Sequence, residues 1–133
     1  MWFMVNHLQR GDADYRHCQA RTLNEWRKKN TVRMVAVGDY NFDWDIASSG
    51  AQHDSGLDLL IANDRFRWIQ PQPPLVRTQC SDNSILDFVF VSGSARQWPA
   101  ASSILFSQEA DYCTKAPAKD SDHRPVRAQF DAH

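Results

Sequence analysis

The sequence alternates short apolar runs with one long stretch of helical periodicity. The first apolar run, Trp2 to Leu8, predicts a buried strand. After it, long side chains recur at intervals of three or four residues, as on one helix face: Tyr15, Gln19, Leu23 and Trp26. Acidic residues precede this repeat and basic residues follow it, as the helix dipole favours. The pattern therefore predicts a helix over about 12–29.

The later apolar runs are shorter and are typical of strands. They predict strands at 32–37, 66–69, 85–91, 103–107 and 123–130. A short helix is predicted at 57–63, and the polar stretches at 41–56 and 108–121 are predicted to be loops. Gly38-Asp39 suits a sharp turn and predicts the end of the second strand. Strands interleaved with helices predict a mixed α/β (α+β) fold.

Length and composition predict one globular domain. The chain has 133 residues, 42% hydrophobic and 23% charged, so we expect residues 1–133 to form a single domain and exclude fibrous and disordered classes. The net charge of -1 excludes binding of nucleic acid through overall positive charge alone. The first apolar run is too short for a membrane span and lacks the marks of a targeting segment, which leaves localisation open.

The cysteines argue against a structural zinc site. Cys18, Cys80 and Cys113 are odd in number and show no CxxC spacing. At most one disulfide can form within the chain. Because Cys18 lies in the helical repeat, the expected pair is Cys80 with Cys113, both in loop-like sequence. The cellular compartment stays undecided.

Polar residues at the ends of apolar strands are the most informative feature. They are His7, Asp39 with Asn41, Asp87, and Asp122 with His123. Asp87 interrupts the apolar run 85–91, where an unpaired carboxylate faces several kcal/mol of desolvation, and a histidine would be a natural partner. Each signal alone has a plainer interpretation: an Asx turn at Asp39-Tyr40-Asn41, a core histidine at His7, an exposed loop before the last strand.

The order of these motifs along the chain resembles the endonuclease/exonuclease/phosphatase superfamily, which includes deoxyribonuclease-I-like enzymes. The motifs are Val5-Asn6-His7-Leu8, Gly38-Asp39-Tyr40-Asn41, Leu86-Asp87-Phe88-Val89-Phe90 and Ser121-Asp122-His123-Arg124-Pro125-Val126. The resemblance implies a phosphate-contacting His7 and a pair, Asp39 and Asn41, that orients and activates the attacking water. It also implies that Asp87 pairs with the catalytic His123 and that Asp122 lies near a metal.

The resemblance also implies a fold and a cofactor. The family's enzymes are αββα sandwiches, and the matched motifs are those of the C-terminal half. We therefore expect half of a sandwich, a mostly antiparallel sheet with one long helix packed on it. The implied cofactor is Mg²⁺, with Mn²⁺ or Ca²⁺ as alternatives, held by Asp39, Asn41 and Asp122. The family's metal-binding glutamate has no match, because neither Glu25 nor Glu109 lies in such a motif.

These observations predict a metal-dependent phosphoester hydrolase, similar to nucleases and phosphodiesterases, with nucleic acid the favoured phosphoester substrate. The alternative is a catalytically impaired, truncated half that acts as a dimeric or partner-docking module. Strands such as Met34–Val37 and Ile85–Val91 are apolar on both faces, and one helix layer covers only one face. We therefore expect a homodimer with these strands near its centre, or docking to a separate N-terminal half.

Overall fold

The computed structural model describes residues 1–115 and 121–132. The strands are β1 (Trp2–His7), β2 (Met34–Asp45), β3 (Phe66–Trp68), β4 (Ser84–Ser92), β5 (Ala100–Ile104) and β6 (Val126–Phe130). The α-helices are α1 (Ala13–Lys29), α2 (Gly56–Ile61) and α3 (Tyr112–Lys115), with 3₁₀ turns at Ala62–Asp64 and Gly93–Gln97. The predicted mixed α+β class is confirmed.

The strands form two sheets. The main sheet has the order β1-β2-β4-β3, in which β1 is parallel to β2 and the other pairs are antiparallel, while β5 and β6 form a separate antiparallel pair. The main sheet has a helix face, with Met34, Ala36, Phe88 and Phe90. Its opposite, strand face carries Val35, Val37, Val89 and Val91. The predicted mostly antiparallel sheet with one long helix packed on it is confirmed.

Helix α1 begins and ends where its sequence predicts, but it buries a different face. Asp12 caps its first turn by accepting a hydrogen bond from the Tyr15 backbone N–H, 3.1 Å long. Tyr15 itself is 69% exposed, and Gln19 is also exposed. The buried stripe is instead mostly polar: Arg16, Ala20, Asn24 and Arg27. The repeat therefore located the helix correctly, while only Leu23 and Trp26 of its members pack against the core, where they are partly buried.

Each buried polar side chain of α1 bonds to a neighbouring element. Arg16 Nη2 donates to Asp54 Oδ2 at 2.6 Å, just before α2. The Asn24 side chain donates to two backbone carbonyl oxygens at the end of α2, at 2.7 and 2.9 Å. Arg27 Nε donates to Ser92 Oγ at the end of β4. Hydrogen bonds thus offset the desolvation of these groups and fix α1 against α2 and the sheet.

Strand β2 is longer than predicted, because the chain continues through Gly38-Asp39 as far as Asp45. Gly38 is needed for a close approach rather than a turn, since a Cβ there would lie 1.9 Å from the Asn6 carbonyl oxygen. Beyond it the register with β4 shifts, and Asn41 and Asp43 adopt φ values of 53° and 46°. This β-bulge returns the apolar side chains that follow to the core, so the loop predicted from 41 begins only after Asp45.

The strand face of the main sheet is covered within the chain, which corrects the expected position of the dimer surface. Ala128 and Phe130 of β6, with Trp98, pack on the strand-face valines. Residues of Met34–Val37 and Ile85–Val91 are therefore largely buried in one chain and cannot lie at the centre of a dimer. β5 and β6, predicted at 103–107 and 123–130, lie at Ala100–Ile104 and Val126–Phe130 and form this cover, which the sequence did not predict. The homodimer itself stays a prediction.

The disulfide prediction is confirmed: Cys80 is bonded to Cys113, and Cys18 is free and exposed. The bond joins the loop before β4 to α3, a short helix within the stretch predicted to be a loop; residues 116–120 of that stretch lie outside the described residues. No helix within residues 1–115 and 121–132 is long and apolar enough to cross a membrane.

Candidate functional site

Three predicted site residues lie side by side across the main sheet. In the strand register His7 of β1 is the partner of Asp39 in β2, and Asp39 is the partner of Asp87 in β4. Paired residues point to the same side of a sheet, so all three side chains continue the strand face beyond its valines. The parallel pairing of β1 with β2 makes this row possible, because it sets the last residue of β1 beside Asp39 within β2.

His123 reaches the row from outside the main sheet. Its Nδ1 lies 2.8 Å from Asp87 Oδ2, a hydrogen bond between residues 36 positions apart in the sequence. A bridge between Gln79 and His123, and a 2.7 Å bond from the Arg124 N–H to the Thr78 carbonyl oxygen, hold this segment in place. The predicted pairing of Asp87 with His123 is therefore present in the structure, and it explains how a carboxylate is tolerated in an apolar strand.

Asp39 lies between two imidazole rings. Its Oδ2 is 3.6 Å from His7 Nε2 and 4.0 Å from His123 Nε2. Its Oδ1 accepts a 2.9 Å hydrogen bond from the Asn41 backbone N–H, which is the Asx turn that the spacing also suggested. Burial and the charge of Asp87 raise the pKa of Asp39 above 3.8, although that N–H and the two imidazoles act in the opposite direction.

The environment of His123 favours its charged form. Burial opposes the charge, but the hydrogen bond from Nδ1 to Asp87 and the negative charges of Asp87, Asp39 and Asp122 outweigh it. The pKa of His123 is therefore raised above 6.5. Because Nδ1 is held by Asp87, Nε2 is the nitrogen that faces Asp39, and in the charged form of the ring its N–H is directed to that side.

The other two predicted residues lie at the border of this group. Asn41 is only 1% exposed; its side-chain amide donates to the Leu8 carbonyl oxygen at 2.9 Å, and its Oδ1 accepts from Arg10 at 3.1 Å. Asp122 is exposed, and its Oδ2 accepts a 2.9 Å bond from Gln79. Asn41 is thus placed to support Asp39 rather than to face solvent, and Asp122 acts on His123 through its charge.

Two residues of the site were missed from the sequence. Arg10 follows the predicted histidine strand by only a few residues, but no motif distinguishes it from the other arginines. Gln79 lies in the loop before β4, and it is the bridge partner of His123. Only the pairing of distant segments reveals either residue, so no local pattern could have identified them.

The residues predicted to hold Mg²⁺ do not form a complete ligand set. Within residues 1–115 and 121–132, no group of three or more His, Cys, Asp or Glu side chains is arranged to hold a metal ion. Asp39 and Asp122 offer the carboxylate oxygens that Mg²⁺ prefers. The side-chain oxygen of Asn41, however, already accepts from a guanidinium. The fit to a metal site is therefore incomplete.

The arrangement is suited to binding an anion and to moving a proton. Two imidazole Nε2 atoms, from His7 and His123, flank one carboxylate of raised pKa. The His7 side chain is 76% exposed and that of His123 is 29% exposed, so both are open to a ligand. Protonated imidazoles stabilise negative charge that develops on an oxyanion, and an ionised Asp39 can accept a proton from water.

Solved structures share this fold across nearly the whole chain. A mannosyl-6-phosphatase from Bacteroides thetaiotaomicron matches 98% of it with a TM-score of 0.69 and 19% identity. An endonuclease/exonuclease/phosphatase family protein from the same organism matches 96% with a TM-score of 0.63 and 18% identity. The cytolethal distending toxin from Actinobacillus actinomycetemcomitans matches 98% with a TM-score of 0.59 and 16% identity.

The chain spans about half the length of these structures, since it covers 51%, 48% and 49% of them in the same order. No protein-family model and no curated protein matches it by sequence. The comparisons therefore concern the fold, and they confirm at that level the resemblance predicted from the motifs. The chain has the fold of about half of an endonuclease/exonuclease/phosphatase domain.

Proposed function

We propose that the chain carries one half of a phosphoester-hydrolase site, formed by His7, Asp39, Asp87 and His123. One observation supports this most strongly: four residues from four separate segments meet at the open end of the strand face. These four side chains are two imidazoles and two carboxylates. Burying charged groups costs desolvation free energy, so their placement here is not explained by the stability of the fold alone. Chemistry on a phosphate accounts for all four.

In this proposal the imidazoles bind the phosphoryl group. His123, held by Asp87 and charged below its raised pKa, donates from Nε2 to a phosphoryl oxygen. The more exposed His7 donates to a second oxygen from the other side of Asp39. Both contacts strengthen as negative charge accumulates on the phosphoryl oxygens, so they lower the barrier rather than merely hold the ground state.

Asp39 acts as the general base in the same scheme. It takes a proton from a water molecule while the water oxygen forms a bond to phosphorus, and the bond from phosphorus to the leaving oxygen breaks. The leaving oxygen takes up a proton from solvent. The N–H of Asn41 holds one carboxylate oxygen, which leaves Oδ2 free to face the water. Asn41 is therefore a positioning residue.

The expected cofactor, Mg²⁺ with Mn²⁺ or Ca²⁺ as alternatives, stays a prediction. A bound divalent ion would supply positive charge to the phosphoryl oxygens. Of the three predicted ligands, Asp39 and Asp122 remain suitable, whereas the side-chain oxygen of Asn41 is taken by Arg10. We therefore expect any tight metal site to need ligands from outside the described residues, and no step above depends on one.

The favoured substrate is a phosphodiester, with nucleic acid as the first candidate. The test is hydrolysis of bis(p-nitrophenyl) phosphate and of DNA, with a phosphomonoester in parallel and with Mg²⁺ or Mn²⁺ present or omitted. We expect Asp39→Ala and His123→Ala each to lower turnover by about 10²-fold or more. His53→Ala is the matched control, because His53 bonds to Gly50 and Asp58 away from the site. No turnover by the parent chain on any of these substrates would contradict the proposal for this chain alone.

A second candidate function, a docking module, is favoured by the surface of β1. Phe3 and Val5 are 65% and 73% exposed. They are the register partners of Val35 and Val37, so they extend the strand face beyond its cover. In this proposal a second copy of the chain, or a separate N-terminal half, packs on Phe3 and Val5. The two functions are compatible, since the exposed residues lie on the strand that ends in His7.

A further inference from the structure

Arg10 lies beside the candidate site and binds three oxygen atoms. Its Nη1 is 3.1 Å from Asn41 Oδ1 and 3.0 Å from Asp43 Oδ1, and its Nη2 is 2.6 Å from Asp82 Oδ1. These oxygens come from two segments far apart in sequence, the β-bulge of β2 and the loop before β4. Arg10 itself follows β1, so one guanidinium links the end of β1, the bulge of β2 and the loop before β4.

The backbone places the bulge oxygens independently of Arg10. Asn41 and Asp43 both adopt left-handed φ values, as the bulge requires. The side-chain amide nitrogen of Asn41 is held by the Leu8 carbonyl oxygen at 2.9 Å. Asn41 is 1% exposed, and with its amide nitrogen held by Leu8 the remaining side-chain polar atom, Oδ1, is the one that faces Arg10. On the other side, the Cys80–Cys113 disulfide anchors the loop that carries Asp82.

The three oxygens are the donors that a hard divalent cation prefers. One carboxamide and two carboxylates would form half of a Mg²⁺ or Ca²⁺ shell, with water completing it. A guanidinium occupies that position instead, and it carries a charge that is not lost at any ordinary pH. Its terminal nitrogens face Asp43 and Asp82, so the groups that it binds in this structure are protein oxygens.

We propose that Arg10 is a built-in cation, which occupies the position where Asn41, Asp43 and Asp82 would otherwise gather a divalent metal ion. It forms ion pairs with Asp43 and Asp82, whose two negative charges its single positive charge partly offsets, and it holds the bulge against the loop before β4. It thereby keeps divalent ions away from this side of the site. The inference rests on the contacts of Arg10 and does not depend on phosphoester hydrolysis, so each can fail without the other.

The test replaces Arg10 by a neutral side chain and measures where Mn²⁺ binds. Mn²⁺ broadens the amide NMR signals of nearby residues, so it reports binding at a named position without an activity assay. In Arg10→Met we expect the signals of Asp43 and Asp82 to broaden at a Mn²⁺ concentration at least tenfold lower than in the parent. In Arg10→Lys, which keeps a positive charge, we expect the behaviour of the parent.

Two further variants complete the design. Arg21→Met removes an exposed arginine of α1 and should leave Mn²⁺ binding unchanged. Arg10→Gln is a second neutral variant for the case in which Arg10→Met loses the dispersed spectrum of a folded chain. The proposal is overturned if Asp43 and Asp82 broaden equally in the parent and the neutral variants, or if they broaden in none of them. Asp82→Asn added to Arg10→Met should abolish the gain, and retention of the gain would also overturn the proposal.

Discussion

Asp39 is the residue at which the charges of the site meet. Its carboxylate faces two imidazoles, is close enough to Asp87 to feel its charge, and is held by one backbone N–H. The charge of Asp39 favours the protonated form of His123, and the two rings in turn favour the ionised form of Asp39. Asp39 and His123 are therefore coupled in their titration.

Asp87→Asn tests the partner of His123. The substitution keeps the shape of the side chain but removes the charge and the strong acceptor for Nδ1–H. We expect the pKa of His123, followed by the ring signals in an NMR titration, to fall, and turnover to drop by roughly 10²-fold. Asp58→Asn, which faces His53, is the control and should leave His123 unchanged. An unchanged pKa of His123 in Asp87→Asn would show that Asp87 does not stabilise the protonated ring of His123.

The pH dependence of turnover follows from two raised pKa values. Asp39 must be ionised to accept a proton, and because its pKa is raised above 3.8, activity is gained only as the pH rises through that higher value. His123 must be protonated, and its pKa is raised above 6.5. Activity should therefore persist past pH 6.5 and be lost as the pH rises through the raised pKa of His123. We expect a bell-shaped profile of kcat/KM. Asp87→Asn should move the alkaline limb to lower pH, and a flat profile would contradict the assigned roles.

At the level of single elements, the disulfide is the most direct test of stability. Cys80 and Cys113 are separated by 33 positions, and closing a loop of that length in the unfolded chain corresponds to about 3–4 kcal/mol. We expect Cys80→Ala with Cys113→Ala to lower the free energy of unfolding in urea by up to that amount. Cys18→Ala, at the free and exposed cysteine, is the control. Equal stability of the double variant and the control would contradict a structural role for the bond.

Sequence patterns located elements well but not their faces or partners. The extent of α1 followed from its periodicity and end charges, but its buried stripe did not. Arg16 and Asn24 are buried because distant groups accept their hydrogen bonds, and a periodicity argument expects apolar side chains there. The end of β2 was missed for a related reason: Gly38 suits a turn in isolation, whereas here it admits the backbone of β1.

The site itself was predictable in part because its residues interrupt apolar strands. The cost of burying an unpaired carboxylate predicted a histidine partner for Asp87, the family resemblance implied that this partner is His123, and the structure contains that pair. The role of Arg10 could not be predicted, since its partners Asn41 and Asp82 lie 31 and 72 positions away. Contacts of this kind are set by strand order, which the pattern of a single sequence does not encode.

For the whole molecule, the main question is what packs against β1. The β5–β6 pair covers Val35, Val89 and Val91, so the chain itself buries most of the strand face of its main sheet. The apolar surface that stays exposed is on β1, the strand that bears His7, and not on β2 and β4 as predicted. Any second copy or separate half that packs there would also lie close to the candidate site.

We expect the chain to form a homodimer through this surface of β1. Sedimentation at micromolar concentration should show a dimer for the parent and a monomer for Phe3→Ser with Val5→Ser, because the substitutions remove the apolar contact area. Phe106→Ser is the control, since Phe106 is 48% exposed and lies outside β1. A monomeric parent, or a dimer that survives the double substitution, would contradict this surface.

The central claim is that His7 and His123 together bind a phosphate group, and it can be tested without assuming turnover. The measurement is an NMR titration of the histidine ring signals with inorganic phosphate, and His17 and His53 serve as internal controls because they pair with other carboxylates. We expect the signals of His7 and His123 to shift with phosphate in a saturable way and with the same affinity. In His123→Ala we expect the shift of His7 to be lost as well. Equal, non-saturating shifts of all four rings would contradict it.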